Sequence, residues 1–249
     1  MGMLDGRTAF VTGGSSGIGQ AIAGAFVREG CKVVISGRRP DALAAAAKQI
    51  GPDTLTIAGD VADPDHHAAA AELIAEWFGG IDIYVANAGI NTIQHTSDVS
   101  LADYDSQFAT NARGTFFGVK AVSPILRDGG AIILVGSLAS EKVLAGHTVY
   151  AGTKAAITAF ARNWAVEFKD RGIRVNVLSP GPTDTAILEK LGVPPKDRDA
   201  FEASMAARIP LGRFGKPDEL ASAALFLASS AASFVTGINL RVDGGMALL

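Results

Sequence analysis

A phenol and an ammonium group lie four positions apart in the run Tyr150-Ala-Gly-Thr-Lys154, thirteen residues after Ser137. If residues 149–169 form a helix, Tyr150 and Lys154 share one face, with Cβ atoms about 5 to 6 Å apart. Lowering a tyrosine pKa from about 10 to neutrality takes about 4 kcal/mol. An ammonium about 4 Å away supplies about that amount at an effective dielectric of about 20. The pattern predicts a proton-transfer pair; a buried aromatic beside a surface lysine is the alternative.

Short apolar runs rich in β-branched residues alternate with helix-length stretches along the whole chain. Strands that are apolar on both faces and separated by helices are typical of a parallel sheet covered on both sides. We therefore predict an α/β fold, a Rossmann-type doubly wound parallel sheet of about seven strands with helices on both faces. The predicted strands are residues 9–12, 32–36, 55–58, 83–86, 131–135, 174–178 and 239–242.

A glycine-rich loop, Thr12-Gly-Gly-Ser-Ser-Gly-Ile-Gly19, joins the first predicted strand to the first predicted helix. Glycines permit a tight turn and a close approach of a ligand to the backbone, and the free N–H groups of a helix start attract phosphate. The spacing is Gly-x-x-x-Gly-x-Gly, which differs from the usual dinucleotide fingerprint. The loop predicts a pyrophosphate site, and a structural turn is the alternative.

The second predicted strand ends in Ile35-Ser36-Gly37-Arg38-Arg39, without a carboxylate. Dinucleotide folds normally place an acidic residue near this point to hold the ribose diol of NAD. A guanidinium instead holds a 2'-phosphate through paired charge-assisted hydrogen bonds. Arg38 therefore favours NADP(H), and Ser15 is a second possible phosphate contact. NAD(H) stays possible because both arginines could be solvated charges ahead of the helix that starts at Pro40.

Polar and small residues follow two further strands of the predicted sheet. Asp60 and Val61 follow the third strand, and Asn87-Ala-Gly89 follows the fourth. Open parallel sheets bind ligands at the carboxyl ends of their strands. Each sequence alone is a common turn, and the order of the whole set is what indicates a binding site.

Together these motifs resemble the classical short-chain dehydrogenase/reductase family over essentially the whole chain. Further matches are Asn111 in a predicted helix over residues 101–122, Pro180-Gly181 after the sixth strand, and Val242-Asp243-Gly244-Gly245. The resemblance implies that Tyr150 is the acid/base and that Lys154 holds the nicotinamide ribose and lowers the tyrosine pKa. It also implies that Ser137 bonds the substrate oxygen and that Asn111 holds a water in the proton relay.

The expected reaction is a reversible hydride transfer between NADP(H) and a carbonyl or secondary alcohol. An NAD-dependent alcohol, sugar or steroid dehydrogenase, a catalytically silent nucleotide-binding regulator and a structural subunit are the alternatives. In the resemblance, Thr183 bonds the nicotinamide carboxamide, and Thr185 could serve instead. The expected cofactor contacts are Gly13, Ser15, Ser16, Gly17, Ile18, Gly19, Arg38, Asp60, Val61, Asn87, Gly89, Tyr150, Lys154, Pro180, Gly181 and Thr183.

We see no linker or repeat and predict one dinucleotide-binding and catalytic domain over residues 1–249. One long irregular stretch, residues 181–214, is typical of a lid, and we predict that it binds the substrate. It offers no diagnostic anchor, so steroid, ketoacyl, sugar and small-ketone substrates all remain. The run Arg127-Asp128-Gly129-Gly130 before the fifth strand lacks a dense basic cluster, which weakens the case for a carrier-protein substrate.

The net charge of −3 without a basic tract predicts no nucleic-acid or membrane partner and favours a small-molecule substrate. The single cysteine, Cys31, excludes an intrachain disulfide and fits a reducing cytoplasm, and we expect no leader sequence. Residues 155–166 are apolar on more than one face and the chain ends Met246-Ala-Leu-Leu249. These surfaces suggest subunit contacts, and the family resemblance implies a homotetramer.

No zinc constellation is visible among the four histidines, so no metal is expected. The pair His66-His67 is interpreted as a solvated helix face. His95 and His147 are isolated, although His147 could line the substrate pocket because it precedes Tyr150 by three positions.

Overall fold

The computed structural model describes residues 2–185 and 198–249. Within these residues, seven parallel strands form one sheet in the order β3-β2-β1-β4-β5-β6-β7. The order reverses between β1 and β4, which creates the crevice where such sheets bind ligands. The strands are β1 Thr8–Thr12, β2 Lys32–Gly37, β3 Leu55–Ala58, β4 Ile81–Ala86, β5 Leu126–Val135, β6 Arg174–Pro180 and β7 Asn239–Val242.

Helices cover both faces of this sheet, as predicted. One face packs against α1, α2 and α8, and the other packs against α3, α5 and α6. Proline occupies the first position of α2, α3 and α8, where its missing N–H costs nothing. The helices are α1 Gly17–Arg28, α2 Pro40–Ile50, α3 Pro64–Phe78, α4 Leu101–Gln107, α5 Gly114–Val122, α6 Thr148–Glu167, α7 Arg198–Ala206 and α8 Pro217–Ala228.

The predicted starts of β4 and β5 are wrong, and charged residues explain both. Strand β4 begins at Ile81 and β5 begins at Leu126, so the run 127–130 lies within β5 instead of preceding it. The register shifts between Ile81 and Ile83, around the buried Asp82. Its carboxylate is paired with Arg7 and Arg127 at 2.8 Å each, which makes a charge tolerable inside the sheet.

The stretch 181–214 is not irregular throughout, because α7 lies within it. Residues 186–197 of the predicted lid, including Pro194 and Pro195, lie outside the described residues. The predicted helix over 101–122 is also interrupted, since the π-helical turn Phe108–Arg113 separates α4 from α5.

The interpretation of His66-His67 as a solvated face is wrong. His67 is buried beside Ala70, Ala71 and Ile74 in the stripe of α3 that faces the sheet, and its Nε2 lies 2.8 Å from the Val61 carbonyl oxygen. Burial lowers the pKa of both histidines. In the described part of the chain, no helix is long and apolar enough to cross a membrane.

Candidate active site

Lys154 is held at the carboxyl end of the sheet from the second turn of α6. Its side chain is buried, and Nζ donates a hydrogen bond of 2.8 Å to the carbonyl oxygen of Val135, the last residue of β5. Nζ lies 5.7 Å from the centroid of the Tyr150 ring. Burial lowers the pKa of Lys154 to about 8, so the group remains mainly an ammonium ion at neutral pH.

Tyr150 is the acid/base candidate, and its own pKa is raised. The main cause is burial, which disfavours the phenolate, and a hydrogen bond with the Ser137 side chain partly offsets it. Nζ of Lys154 is bound to the Val135 carbonyl, and a lowering of the tyrosine pKa by this lysine stays a prediction. The phenol is therefore a protonated group at neutral pH.

Ser137 lies two residues beyond β5, where it caps the short 3-10 helix Leu138–Ser140. Its Oγ accepts a hydrogen bond of 3.1 Å from the Ala139 N–H. Since that contact uses a lone pair, the hydroxyl hydrogen stays available for a second partner. Ser137 can thus donate to an oxygen in the cavity that it shares with Tyr150.

Asn111 is fully buried in the π-helical turn and fixes the loop after β4. Its Oδ1 accepts from the Ile90 N–H, and its Nδ2 donates to the Ile90 carbonyl, both at 2.9 Å. Nδ2 also donates to Thr153 Oγ1 at 3.0 Å, and this hydroxyl donates to the Tyr150 carbonyl oxygen at 2.7 Å. Thr153 is therefore a site residue that sequence reasoning missed. The feature of the sequence that could have indicated Thr153 was its position between Tyr150 and Lys154.

The glycine loop has the geometry of a phosphate cradle. A Cβ on Gly13, whose φ is +66°, would lie 2.9 Å from Asn87 Nδ2 and from Ala88 Cα. Helix α1 starts at Gly17 without a side-chain cap from Ser16 and without an acidic residue in its first turn. Its terminal N–H groups are thus left for an anion, and the loop fits a pyrophosphate.

Asn87 holds this loop in place. Its Nδ2 donates to the carbonyl oxygens of Thr12 at 3.0 Å and Gly13 at 3.1 Å. In return, Thr12 Oγ1 accepts from the backbone N–H groups of Asn87 and Ala88. Thr12 is a second residue that the sequence reading missed as a site residue. A polar residue ending a buried strand was the available signal.

Arg38 is exposed at the end of β2, and no described side chain forms an ion pair with it. Ser15 lies beside this strand end, because a Cβ on Gly37 would be 3.4 Å from Ser15 Oγ. Asp60 is exposed and Val61 is buried at the neighbouring end of β3. The predicted cofactor contacts Arg38, Asp60 and Val61 therefore lie at two adjacent strand ends, where the guanidinium and the Ser15 hydroxyl suit a 2'-phosphate.

A cavity of about 580 Å³ lies beside Ser137, Tyr150 and Lys154. The predicted residues that line it are Ile18, Asn87, Gly89, Ser137, Tyr150, Lys154, Pro180, Gly181 and Thr183. His147 lines it too, as the sequence suggested, together with Phe201 and Met205 of the predicted lid. The other predicted site residues lie outside its lining: Gly13, Ser15, Ser16, Gly17, Gly19, Arg38, Asp60, Val61 and Asn111.

Arg208 also lines the cavity and was not predicted. Among the described lining residues, Arg208 and Lys154 are the charged side chains, and no carboxylate is present. The walls are otherwise largely apolar. Within the described residues, no cluster of three or more His, Cys, Asp or Glu could hold a metal ion.

The parallel sheet carries at its switch point a glycine loop that fits a pyrophosphate, and Ser137, Tyr150 and Lys154 share the adjoining cavity. This combination defines an oxidoreductase that uses a nicotinamide dinucleotide.

Comparison with known proteins specifies the family. A family model described as enoyl-(acyl carrier protein) reductase matches residues 13–247. D-threitol dehydrogenase from Mycolicibacterium smegmatis is 39% identical over 247 residues, covering 97% of this chain and 93% of the relative. Versicolorin reductase from Emericella nidulans is 37% identical over 253 residues, covering 97% and 96%. A solved mutant short-chain dehydrogenase/reductase from Serratia marcescens has a TM-score of 0.91 at 34% identity, covering 98% of this chain and 99% of that one. The chain belongs to the short-chain dehydrogenase/reductase family.

Proposed function

We propose that the protein catalyses a reversible hydride transfer between NADP(H) and a carbonyl or secondary alcohol, with Tyr150 as the acid/base. The observation that carries this proposal is the cavity that Ser137, Tyr150 and Lys154 share beside the glycine loop. One relative is named as a dehydrogenase and another as a reductase, so the comparisons leave the direction open.

The bound nicotinamide supplies or accepts the hydride, and the side chains of the cavity manage the proton and the oxygen. In carbonyl reduction, Tyr150 donates its phenolic proton to the substrate oxygen. The raised pKa of Tyr150 keeps this proton in place at neutral pH. Ser137 donates a second hydrogen bond to the same oxygen as negative charge develops on it.

Lys154 contributes a positive charge beside the tyrosine and holds the nicotinamide ribose in this proposal. Its buried ammonium favours the phenolate that remains after proton donation. Asn111 is proposed to hold a water behind Lys154 that returns the proton. The bonds from Asn111 to Ile90 and Thr153 support it as a fixed part of this arrangement.

A preference for NADP(H) rests on Arg38. The exposed guanidinium, the nearby Ser15 hydroxyl and the lack of a carboxylate at the end of β2 support it. The test measures kcat/KM for NADPH and NADH with a panel of carbonyls, and for NADP+ and NAD+ with secondary alcohols. Arg38→Ala should lower kcat/KM for NADPH about 10- to 100-fold, since it removes a charge-assisted contact. Equal use of both cofactors, unchanged by the substitution, contradicts the phosphate role.

We further propose one catalytic domain over residues 1–249, in which residues 181–214 act as a substrate lid. The presence of Phe201, Met205 and Arg208 in the cavity wall supports the lid assignment. Tight cofactor binding without turnover of any carbonyl or alcohol would instead identify a nucleotide-binding regulator.

We propose a homotetramer in the cytoplasm. An aromatic cluster of Phe116, Phe160 and Trp164 joins α5 to α6. Phe116 on α5 remains 40% exposed, and Val166 on α6 is 65% exposed. Exposed apolar side chains on two adjacent helices support a subunit contact there. A single free cysteine, Cys31, agrees with a reducing compartment. A monomer by light scattering contradicts the tetramer.

A further inference from the structure

His147 is a polar side chain of the cavity for which the proposed hydride transfer has no use. It lies three positions before Tyr150, at the N-cap of α6, and lines the same cavity. The centroids of the two rings are 6.1 Å apart, and their planes meet at 67°. The imidazole therefore stands directly beside the phenol that handles the substrate oxygen.

The hydrogen-bond partner of Nδ1 defines which nitrogen of His147 is free. Nδ1 lies 2.9 Å from the carbonyl oxygen of Ala145. A carbonyl oxygen only accepts hydrogen bonds, so Nδ1 carries the proton and, in the neutral ring, Nε2 is an acceptor. No described group bonds Nε2, and it is not among the buried unpaired polar atoms of the described residues. The acceptor atom is therefore open for a ligand.

The acceptor Nε2 of His147 favours a substrate that carries a hydrogen-bond donor. Ser137 and Tyr150 both form hydrogen bonds with the reacting oxygen. The donor to His147 is therefore a different group of the substrate. The walls of the same cavity include the apolar Ile93 and Leu144. A ligand without a second hydroxyl would desolvate Nε2 and leave it unpaired, which is unfavourable.

We propose that His147 Nε2 accepts a hydrogen bond from a hydroxyl on the carbon next to the reacting carbon, and that the substrate pair is a vicinal diol and its α-hydroxy ketone. This inference rests on the proposed function. In the oxidation direction the reacting carbon loses a hydride to the nicotinamide, and its hydroxyl loses a proton to the Tyr150 phenolate, whose own proton has first left through the proposed water relay behind Lys154. The neighbouring hydroxyl keeps its hydrogen, which it donates to His147.

The kinetic test uses two alcohols of the same carbon skeleton, butane-2,3-diol and butan-2-ol, with NADP+ and NAD+. The readout is the ratio of kcat/KM for the diol to that for the mono-alcohol. In His147→Phe, which keeps a ring without an acceptor, this ratio should fall about 10- to 100-fold. His147→Gln returns an acceptor oxygen and should recover most of the ratio. A ratio in His147→Phe within about threefold of the wild type overturns the inference.

A binding measurement separates this inference from the proposed function. The chain has four histidines, so a ¹⁵N-histidine NMR spectrum is simple, and His147→Gln identifies the His147 resonances. With NADP+ present, butane-2,3-diol should move the Nε2 resonance of His147, and butan-2-ol should not. A shift of the Nε2 resonance with the diol, without turnover, contradicts hydride transfer but supports the diol site. No movement with the diol overturns the diol site, whatever the turnover.

Discussion

Thr153→Val removes a single buried hydroxyl from the polar framework behind the active site while keeping the shape of the side chain. The hydroxyl accepts a hydrogen bond of 3.0 Å from Asn111 Nδ2, and both atoms are buried. Its own bond to the Tyr150 carbonyl contributes less, because that carbonyl lies within α6 and keeps its helical partner. An unpaired buried donor costs about 1–3 kcal/mol. We expect the free energy of unfolding to fall by about 2 kcal/mol, which lowers Tm by about 4–8 °C in a chain of this size.

The assay is urea unfolding of the wild type, Thr153→Val and Thr153→Ser, followed by circular dichroism. The serine variant keeps the hydroxyl and should stay within about 1 kcal/mol of the wild type. A matched control is Thr158→Val on the same helix, since Thr158 Oγ1 only donates to the Lys154 carbonyl at 3.3 Å. Its effect should be below about 0.5 kcal/mol. Equal free energies of unfolding for Thr153→Val and Thr158→Val refute the reasoning.

Two further predictions concern Lys154 and the glycine loop. Burial lowers the pKa of Lys154 from 10.5 to about 8. Between these two pH values the unfolded chain binds more protons than the folded protein. The free energy of unfolding of the wild type, relative to that of Lys154→Met, therefore rises with pH in this range. Urea unfolding from pH 7 to 10.5 should show this difference in free energy of unfolding increase by roughly 3 kcal/mol. A difference that does not change with pH contradicts the burial of the ammonium. Gly13→Ala combines a strained φ with a contact to Asn87, whereas Gly6→Ala has a similar φ of +73° and no atom within 4 Å. Fluorescence titration should show that Gly13→Ala raises the Kd for NADPH at least about tenfold and that Gly6→Ala does not. An equal Kd in both variants contradicts phosphate binding by this loop.

The sheet was predictable because its central strands are apolar on both faces and are separated by helices. The starts of β4 and β5 were not, since Asp82, Arg127 and Asp128 interrupt the apolar pattern. Only the tertiary structure brings Arg7 and Arg127 to Asp82. The burial of His67 was hidden for a similar reason, because its partner is a backbone carbonyl at Val61.

The residues of the candidate site could be predicted from the sequence, but their hydrogen bonds and pKa shifts could not. The spacing of Tyr150 and Lys154 placed both on one cavity wall, as helical geometry requires. It could not indicate that Lys154 Nζ bonds the Val135 carbonyl, nor that burial raises the pKa of Tyr150. Thr153 and Arg208 carried no sequence pattern of their own. The role of Thr153 follows from its bond to Asn111, far along the chain, and Arg208 is seen to line the cavity only in the folded structure.

The central claim is that Tyr150 exchanges the proton in the hydride transfer, and Tyr150→Phe tests it most directly. The substitution keeps the ring and removes only the hydroxyl. Single-turnover rates of NADPH oxidation should be measured with a carbonyl that the wild type reduces, at saturating substrate. Since positioned acid–base groups contribute about 10²- to 10⁴-fold, we predict a loss in that range with the Kd for NADPH changed less than about threefold. A single-turnover rate equal to that of the wild type contradicts the account.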